Sequence, residues 1–248
     1  MDRSFEELVA DADAQPVRWD FTYLDGRAVE DRPSWRYFDR VAEAASVATR
    51  MLDIETGSGN LLADLPELPP FAVGTDDYPP SVREAGPRLR VRGASVVQAG
   101  MELPFRDETF DLIVSRHPVE TSWSEVARCL RADGRVISQH IGPYSLREVS
   151  EWFLGPRSGG SLRDPGAARR AAESEGLVVE VLDHERPRAA FFDIGAVVYF
   201  LRIVPWIVPG FASDRYEQEL RALHEHITTV GSFESTSSRF LIELTKRR

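Results

Sequence analysis

The chain contains one cysteine, Cys129, in 248 residues. A single thiol excludes an internal disulfide and any metal centre built from several thiolates. Nor is there an excess of positive charge: 30 basic side chains stand against 40 acidic ones, for a formal charge of −10. That balance disfavours a broad phosphate-binding surface, and with it an RNA or DNA substrate. No internal repeat and no low-complexity segment appears. The N-terminal stretch MDRSFEELVADADA is acidic and lacks the apolar core of a signal peptide. The very apolar segment from Ile194 to Phe211 is interrupted by Arg202, Pro205 and Pro209, and a membrane span needs ~20 mostly apolar residues. A cytoplasmic protein without a membrane partner is therefore expected. What the chain does have is 42% hydrophobic residues, enough for a substantial core, and a length that suits one large α/β domain.

The chain is organised around Met51 to Asn60, MLDIETGSGN. Val47, Met51, Leu52 and Ile54 form an apolar run, broken by Thr56, Gly57, Ser58 and Gly59. This pattern predicts a buried strand ending in a glycine turn at the start of a helix. Glycine lets the backbone turn sharply and lets a ligand approach the main chain. Asp53 lies inside the apolar strand, where an unpaired carboxylate would be costly. A second run, Phe71 to Thr75, ends in Asp76-Asp77, near the ~20-residue interval at which an acid meets a nucleotide ribose. A third strand-like run, Phe110 to Ser115, follows Glu102-Leu103-Pro104-Phe105.

Together these segments resemble the class I S-adenosylmethionine (SAM)-dependent methyltransferases. The family phrase (V/L)-D-(V/I)-G-x-G-x-G appears as Leu52-Asp53-Ile54-Glu55-Thr56-Gly57-Ser58-Gly59, with Glu55 in place of the first glycine. The resemblance continues through Leu103-Pro104-Phe105, the Phe110 to Ser115 run and Arg128 to Gly134, covering about Thr49 to Ile141. Asp76 to Pro80, Ser115 to Pro118 and Phe192 to Arg202 are similar to a group of actinobacterial-type methyltransferases.

The remaining segments are read in chain order. Trp19 to Arg27 is unusually aromatic, and Trp35, Phe38, Val41, Ala42 and Ala45 have helical spacing. This N-terminal arm, residues 1–45, either packs on the core or forms a lid over the substrate. A helical turn is expected from Ser81 to Ala85. Ser122/Glu125 and Ser145/Glu148 have capping-box spacing. Gly155 to Arg163 has loop composition, Asp164-Pro165 opens a helix and Gly176 closes it. Strands are expected at Ala94 to Val97, Arg135 to Ser138, Leu177 to Leu182 and Arg239 to Thr245. The alternation predicts a mostly parallel sheet with helices on both faces, and the resemblance adds an antiparallel last strand. One Rossmann-like domain, residues 1–248, is expected, with the arm and a C-terminal helical insert at 190–232.

The resemblance implies SAM as the cofactor and residues to hold it. Asp53, Glu55, Thr56, Gly57 and Gly59 belong to the methionyl end, with Asp53 alternatively only bracing the turn. Asp76 is the ribose acid, with Asp77 beside it turned to solvent. Ala99 stands where the family often has an acid, leaving Gly100, Met101 and Glu102 for the adenine, with Ser115 and Arg116 at the next strand end. No metal is expected. His117 and His140 follow two strands and are candidates to take a proton from the acceptor, or are structural. Trp19, Phe21, Tyr23, Trp35, Tyr199 and Trp206 would wall an acceptor pocket. The expected activity is methyl transfer to oxygen or nitrogen of a small, apolar or aromatic acceptor of secondary metabolism. The alternatives are an rRNA-base methyltransferase and a SAM-binding protein without transfer.

Overall fold

The computed structural model describes residues 3–156 and 163–247. Most of the loop expected at Gly155 to Arg163, residues 157–162, therefore lies outside the described residues. Along the chain come α1 (Phe5–Ala14), β1 (Ala28–Glu30), α2 (Tyr37–Val47), β2 (Arg50–Ile54) and α3 (Asn60–Asp64). Next are β3 (Phe71–Asp76), α4 (Pro79–Val91), β4 (Ser95–Gln98), β5 (Phe110–Arg116), α5 (Trp123–Cys129) and β6 (Leu130–Ile141). The last part holds α6 (Arg147–Leu154), α7 (Pro165–Ser174), β7 (Leu177–Glu185), β8 (Arg188–Phe191) and α8 (Ile194–Ile203). It ends with α9 (Glu217–Val230), β9 (Phe233–Thr236) and β10 (Arg239–Lys246). Among the described residues no helix is long and apolar enough to cross a membrane.

The chain divides into two compact units: Met1–Arg32 with Tyr144–Ser161 and Arg186–Ser238, and Pro33–Pro143 with Leu162–Glu185 and Arg239–Arg248. This differs from one domain carrying an arm at 1–45 and an insert at 190–232. The arm up to Arg32 and the insert share one core, because Phe5, Leu8 and Ala12 of α1 bury together with the apolar α8 and with Leu220, Leu223 and Ile227 of α9. Gly195 permits the close approach, since a Cβ there would lie 2.8 Å from the Leu8 carbonyl. Arg27 fastens the same region by donating to both oxygens of Asp193 at 2.8 and 2.6 Å. A three-stranded antiparallel sheet, β1-β8-β9, completes this unit.

Residues 33–45 belong instead to the second unit, where Trp35, Tyr37 and Val41 bury against a different core. Its seven-stranded sheet has the order β4-β3-β2-β5-β6-β10-β7. β4 to β6 pair in parallel, and β10 runs antiparallel to both of its neighbours, as expected. Neighbouring residues in a strand point to opposite faces, so each strand feeds two cores. Met51, Leu112 and Val114 meet α2, α3 and α4 on one side, while Leu52 and Ile113 meet α5 and α7 on the other.

Three local expectations change. Arg36 adopts φ 52°, so α2 starts only at Tyr37; Tyr37 turns inward and Phe38 stays exposed. α4 is a full helix, with Pro79 and Pro80 in the first turn, where their missing N–H groups cost nothing. Neither expected capping box forms. Glu125 accepts from the distant Leu103 N–H and pairs with Arg128, and Glu148 accepts from Ser235 and Thr236. Asp164 does cap α7, accepting from Gly166 and Ala167.

The link from β2 to α3 has three left-handed residues in a span of five: Glu55 (φ 54°), Gly57 (φ 59°) and Gly59 (φ 80°). The Thr56 N–H donates to the Thr75 carbonyl at 2.8 Å, locking the turn to β3. Gly74 of β3 leaves room for Thr56, because a Cβ at Gly74 would lie 2.7 Å from Thr56 Cγ2. Gly74→Ala should therefore destabilise the protein by ~1–3 kcal/mol, the usual cost of overpacking, when measured by urea unfolding. Unchanged stability would mean that the turn moves freely and is not locked to β3.

Candidate functional site

The parallel strands β2, β3, β4 and β5 end on one side of the sheet. In folds of this kind ligands bind beyond those C-terminal ends. A cleft of about 170 Å³ opens there, lined by Ile54 and Glu55 after β2, Asp77 after β3, Ala99 to Met101 after β4, and residues 119–122 after β5. Leu103, Glu125 and Val126 complete it.

Asp76 is buried behind this cleft. One of its oxygens accepts from Gly57 N–H at 2.8 Å and the other from Tyr78 N–H at 3.0 Å. It therefore ties β3 to the glycine turn and holds the Gly57 main chain in place. Asp77, expected to be merely solvated, lines the cleft beside Gly100. The reason is strand alternation: with Asp76 turned toward β2, its neighbour faces the opening. Asp53 is fully buried and accepts from Thr56 Oγ1 at 2.6 Å. Burial is the main cause that pushes its carboxyl up to about 7, with nearby Asp76 adding to the effect. Asp53 and Thr56 thus brace the turn from inside. Glu55 is half-buried in the cleft, where its Oε2 accepts from Val119 N–H at 2.8 Å.

Beyond β4, Gly100 and Met101 line the cleft, whereas Glu102 is exposed and outside it. Ser115 does not face the cleft through its side chain. Its hydroxyl pairs with Ser138 at 2.6 Å, and its carbonyl accepts from the buried Tyr37 hydroxyl at 2.8 Å. Arg116 is exposed, yet its charge acts on Asp53, Tyr37 and His117.

The two histidines differ from the proton-accepting role considered for them. His140 stacks on Phe240 with ring centroids 4.5 Å apart, and its Nε2 bonds Ser138 Oγ at 2.7 Å. Burial drives its pKa down to about 3, which makes it a weak base and a structural part of the sheet. His117 is held by a relay. The Trp35 indole, which can only donate, gives its N–H to Gln139 Oε1 at 2.7 Å. Gln139 must then present its amide nitrogen to His117 Nε2, 2.8 Å away. Nε2 is thereby an acceptor, and the neutral ring carries its proton on Nδ1. Burial first, then Arg239 and Arg116, keep the ring neutral well below the usual histidine range. His117 is thus set to donate a hydrogen bond, while its Nε2 lone pair is already engaged.

Trp35 acts through this relay within the sheet unit. The other five aromatic candidates lie in the first unit. There Trp19 stacks on Trp206 and meets the edge of Phe21, and Tyr23 packs on Tyr199 with ring centroids 4.7 Å apart. The sequence reading missed the cleft wall supplied by Leu103, Val119, Glu120, Thr121 and Val126. It also missed Gln139, whose role depends on a tryptophan 104 residues away.

Residues 52–138 match the family model described as a methyltransferase domain. A demethylmenaquinone methyltransferase from Roseiflexus sp. (strain RS-1) is 28% identical over 183 residues, covering 73% of this chain and 61% of the relative. The chain thus spans less than two thirds of that curated relative's length. Among solved structures, the YcgJ protein of Bacillus subtilis aligns with a TM-score of 0.60 at 18% identity, covering 86% of this chain and 99% of that one. The [4+2]-cyclase SpnF aligns with a TM-score of 0.52 at 16% identity, covering 97% and 92%. These two likenesses concern the fold. Residues 52–138 thus resemble a methyltransferase domain, seated on a Rossmann-like sheet, and the cofactor such domains use is SAM.

The cleft fits that cofactor. A Cβ at Gly57 would meet nothing within 4 Å, so the main chain there is open to a close approach. Thr121 Oγ1 is buried at the cleft without a hydrogen-bond partner. Ile54, Leu103, Val119 and Val126 offer an apolar wall for a flat base, and the carboxylates of Glu55 and Asp77 suit hydroxyls and a cation.

Asp53 makes the stability of this site dependent on pH. Its folded pKa, about 7, lies above the ordinary 3.8, so between those values the folded state keeps a proton that the unfolded chain has released. The stabilisation is full below the ordinary value and is lost as pH rises through about 7. Asp53→Asn should therefore gain on the wild type by up to roughly 4 kcal/mol between acidic and mildly alkaline pH. Parallel stability curves in chemical denaturation across that range would show that Asp53 is not protonated in the fold.

Proposed function

We propose that the protein is a SAM-dependent methyltransferase acting on oxygen or nitrogen of a small, apolar or aromatic acceptor, in the cytoplasm and in secondary metabolism. The observation that carries this reading is the Asp76 carboxylate fastened to Gly57 behind a cleft edged by Glu55 and Asp77. The name of the Roseiflexus relative gives it demethylmenaquinone as acceptor, which supports a small molecule here. The acidic chain supports the same choice over rRNA. We also place the chain in the actinobacterial-type group on the strength of Asp76 to Pro80, Ser115 to Pro118 and Phe192 to Arg202.

When bound, SAM supplies a methyl carbon on a positively charged sulfur, open to displacement in line with the S–CH3 bond. The chain supplies orientation and exclusion of water. Gly57 presents main chain, Asp76 and Asp77 offer acceptor oxygens to a ribose, and Gly100 and Met101 flank the base. His117 positions the acceptor through its Nδ1–H. Trp19, Phe21, Tyr23, Tyr199 and Trp206 are assigned to acceptor recognition as an aromatic set, and His140 to holding the sheet.

Calorimetric titration with SAM and S-adenosylhomocysteine (SAH) tests the cofactor assignments. Asp76→Ala should weaken both ligands about 10- to 100-fold, the equivalent of one charge-assisted hydrogen bond of ~1.5–3 kcal/mol. A loss confined to Asp77→Ala would move the ribose role to Asp77. Transfer of labelled methyl to total RNA, with none to phenolic or amine surrogates, would overturn the small-molecule reading.

A separate expectation concerns His117. His117→Ala should lower turnover with a surrogate acceptor at saturating SAM and leave the pH profile around neutrality unchanged, because the ring is neutral throughout. A profile that loses a titration in the variant would restore His117 as a base.

A further inference from the structure

The first left-handed position of the turn holds a carboxylate. Glu55 has φ 54°, a conformation that disfavours any residue with a Cβ and that glycine adopts freely, as at Gly57 and Gly59. The strain is not relieved by turning the side chain out to water. Glu55 stays half-buried and accepts hydrogen bonds from the backbone N–H groups of Val119 and Glu120, the first at 2.8 Å. Its carboxylate therefore spans from the end of β2 to the segment after β5, inside the same cleft as Asp77, Gly100 and Met101.

The charge around it is unbalanced. Burial first, and then Asp76 and Asp77, push the Glu55 carboxyl above the usual range. Glu55, Asp77, Glu120 and Glu125 all line the opening, Asp76 is buried behind it, and the pull of Arg163 on Glu55 comes from outside the cleft lining. Such a place favours a cation, because a partly buried charge interacts more strongly than one in bulk water. SAM and SAH share the adenine, ribose and amino-acid groups. They differ in the methyl group and in the positive charge on sulfur. A glycine at this position has no means of sensing that charge.

We propose that Glu55 is a specificity-determining residue that makes the cleft prefer the sulfonium form of the cofactor over the neutral thioether left after transfer. The inference rests on the cofactor reading above and extends it from shape to charge. A carboxylate here retains the reactant and weakens the hold on the product, which explains why a strained non-glycine residue stands in the turn. The competing role is purely structural: Glu55 fastens the Val119–Glu120 backbone and is blind to the ligand's charge.

Calorimetry with SAM and SAH on the wild type, Glu55→Gln and Glu55→Gly separates the two roles. The amide keeps an acceptor oxygen for the backbone and loses the charge. Glu55→Gly relieves the strained backbone, so the test stays open should the amide variant not fold. The ratio of SAM to SAH affinity should fall about tenfold in both variants, chiefly through weaker SAM, as expected for one partly screened unit charge. Equal losses for both ligands, or an unchanged ratio, would overturn the role of Glu55 and leave the methyltransferase reading standing. Failure of the wild type to bind either ligand would overturn both.

Discussion

The site depends on one locked piece of backbone, the turn between β2 and α3. Left-handed residues at positions 55, 57 and 59 fold it tightly, and such a turn is not stable as an isolated loop. It is held from β3 by the Thr56 N–H on the Thr75 carbonyl and by the Asp76 carboxylate on Gly57. It is held from within by Asp53 on Thr56. It is packed from the helix side at Gly59, where a Cβ would come within 3.0 Å of Leu89. Each fastening uses a residue whose chemistry the position demands: a missing Cβ, a short carboxylate or a hydroxyl. Strand pairing then fixes where the fastened turn lies relative to the ends of β4 and β5.

That lock has electrostatic consequences. Asp53 and Asp76 are both buried near the turn; Asp76 makes ionisation harder for Asp53 and Glu55, and Asp53 does the same for the Tyr37 hydroxyl. Full burial raises Asp53, while the half-buried Glu55 is raised in spite of two backbone donors. On the other side of β5, burial and nearby arginines hold the histidines neutral. The strand ends therefore present carboxylates toward the cleft and uncharged rings along β5 and β6. A cleft of that polarity suits a cationic ligand better than an anionic one.

Much of this was legible in the sequence because it is local. The apolar run, the glycines and the acidic pair lie within 27 residues, Met51 to Asp77, and alternation of apolar residues reports a strand directly. The antiparallel last strand came from family resemblance, since no local pattern reports pairing direction. What was misread depends on partners far along the chain. Glu125 and Glu148 have the spacing of capping residues, but Leu103 and Thr236 offer them partly buried N–H groups elsewhere. His117 and His140 look alike as residues following strands. Only the Trp35–Gln139 relay and the Phe240 stack distinguish them. The boundary of the arm was missed for a similar reason. Aromatic composition runs on from Trp19 to Trp35, while burial divides it between two cores.

The relay also narrows the chemistry that the site can perform. Because Trp35 only donates, the orientation of Gln139 and the tautomer of His117 are settled by one hydrogen bond at a helix start. A neutral ring with its proton on Nδ1 is a hydrogen-bond donor, and it cannot act as a base without first breaking from Gln139. His140 is no substitute, since a pKa of about 3 leaves little basicity. Displacement at a sulfonium carbon needs alignment more than proton abstraction. Under the proposed methyl transfer, a hydrogen-bond donor of this kind suits an acceptor that keeps a free lone pair beside the one the Nδ1–H engages, such as a phenolate. Under the same proposal these residues would serve poorly for an alcohol that must be deprotonated in place, because the one free nitrogen of His117 carries its proton and His140 is too weak a base.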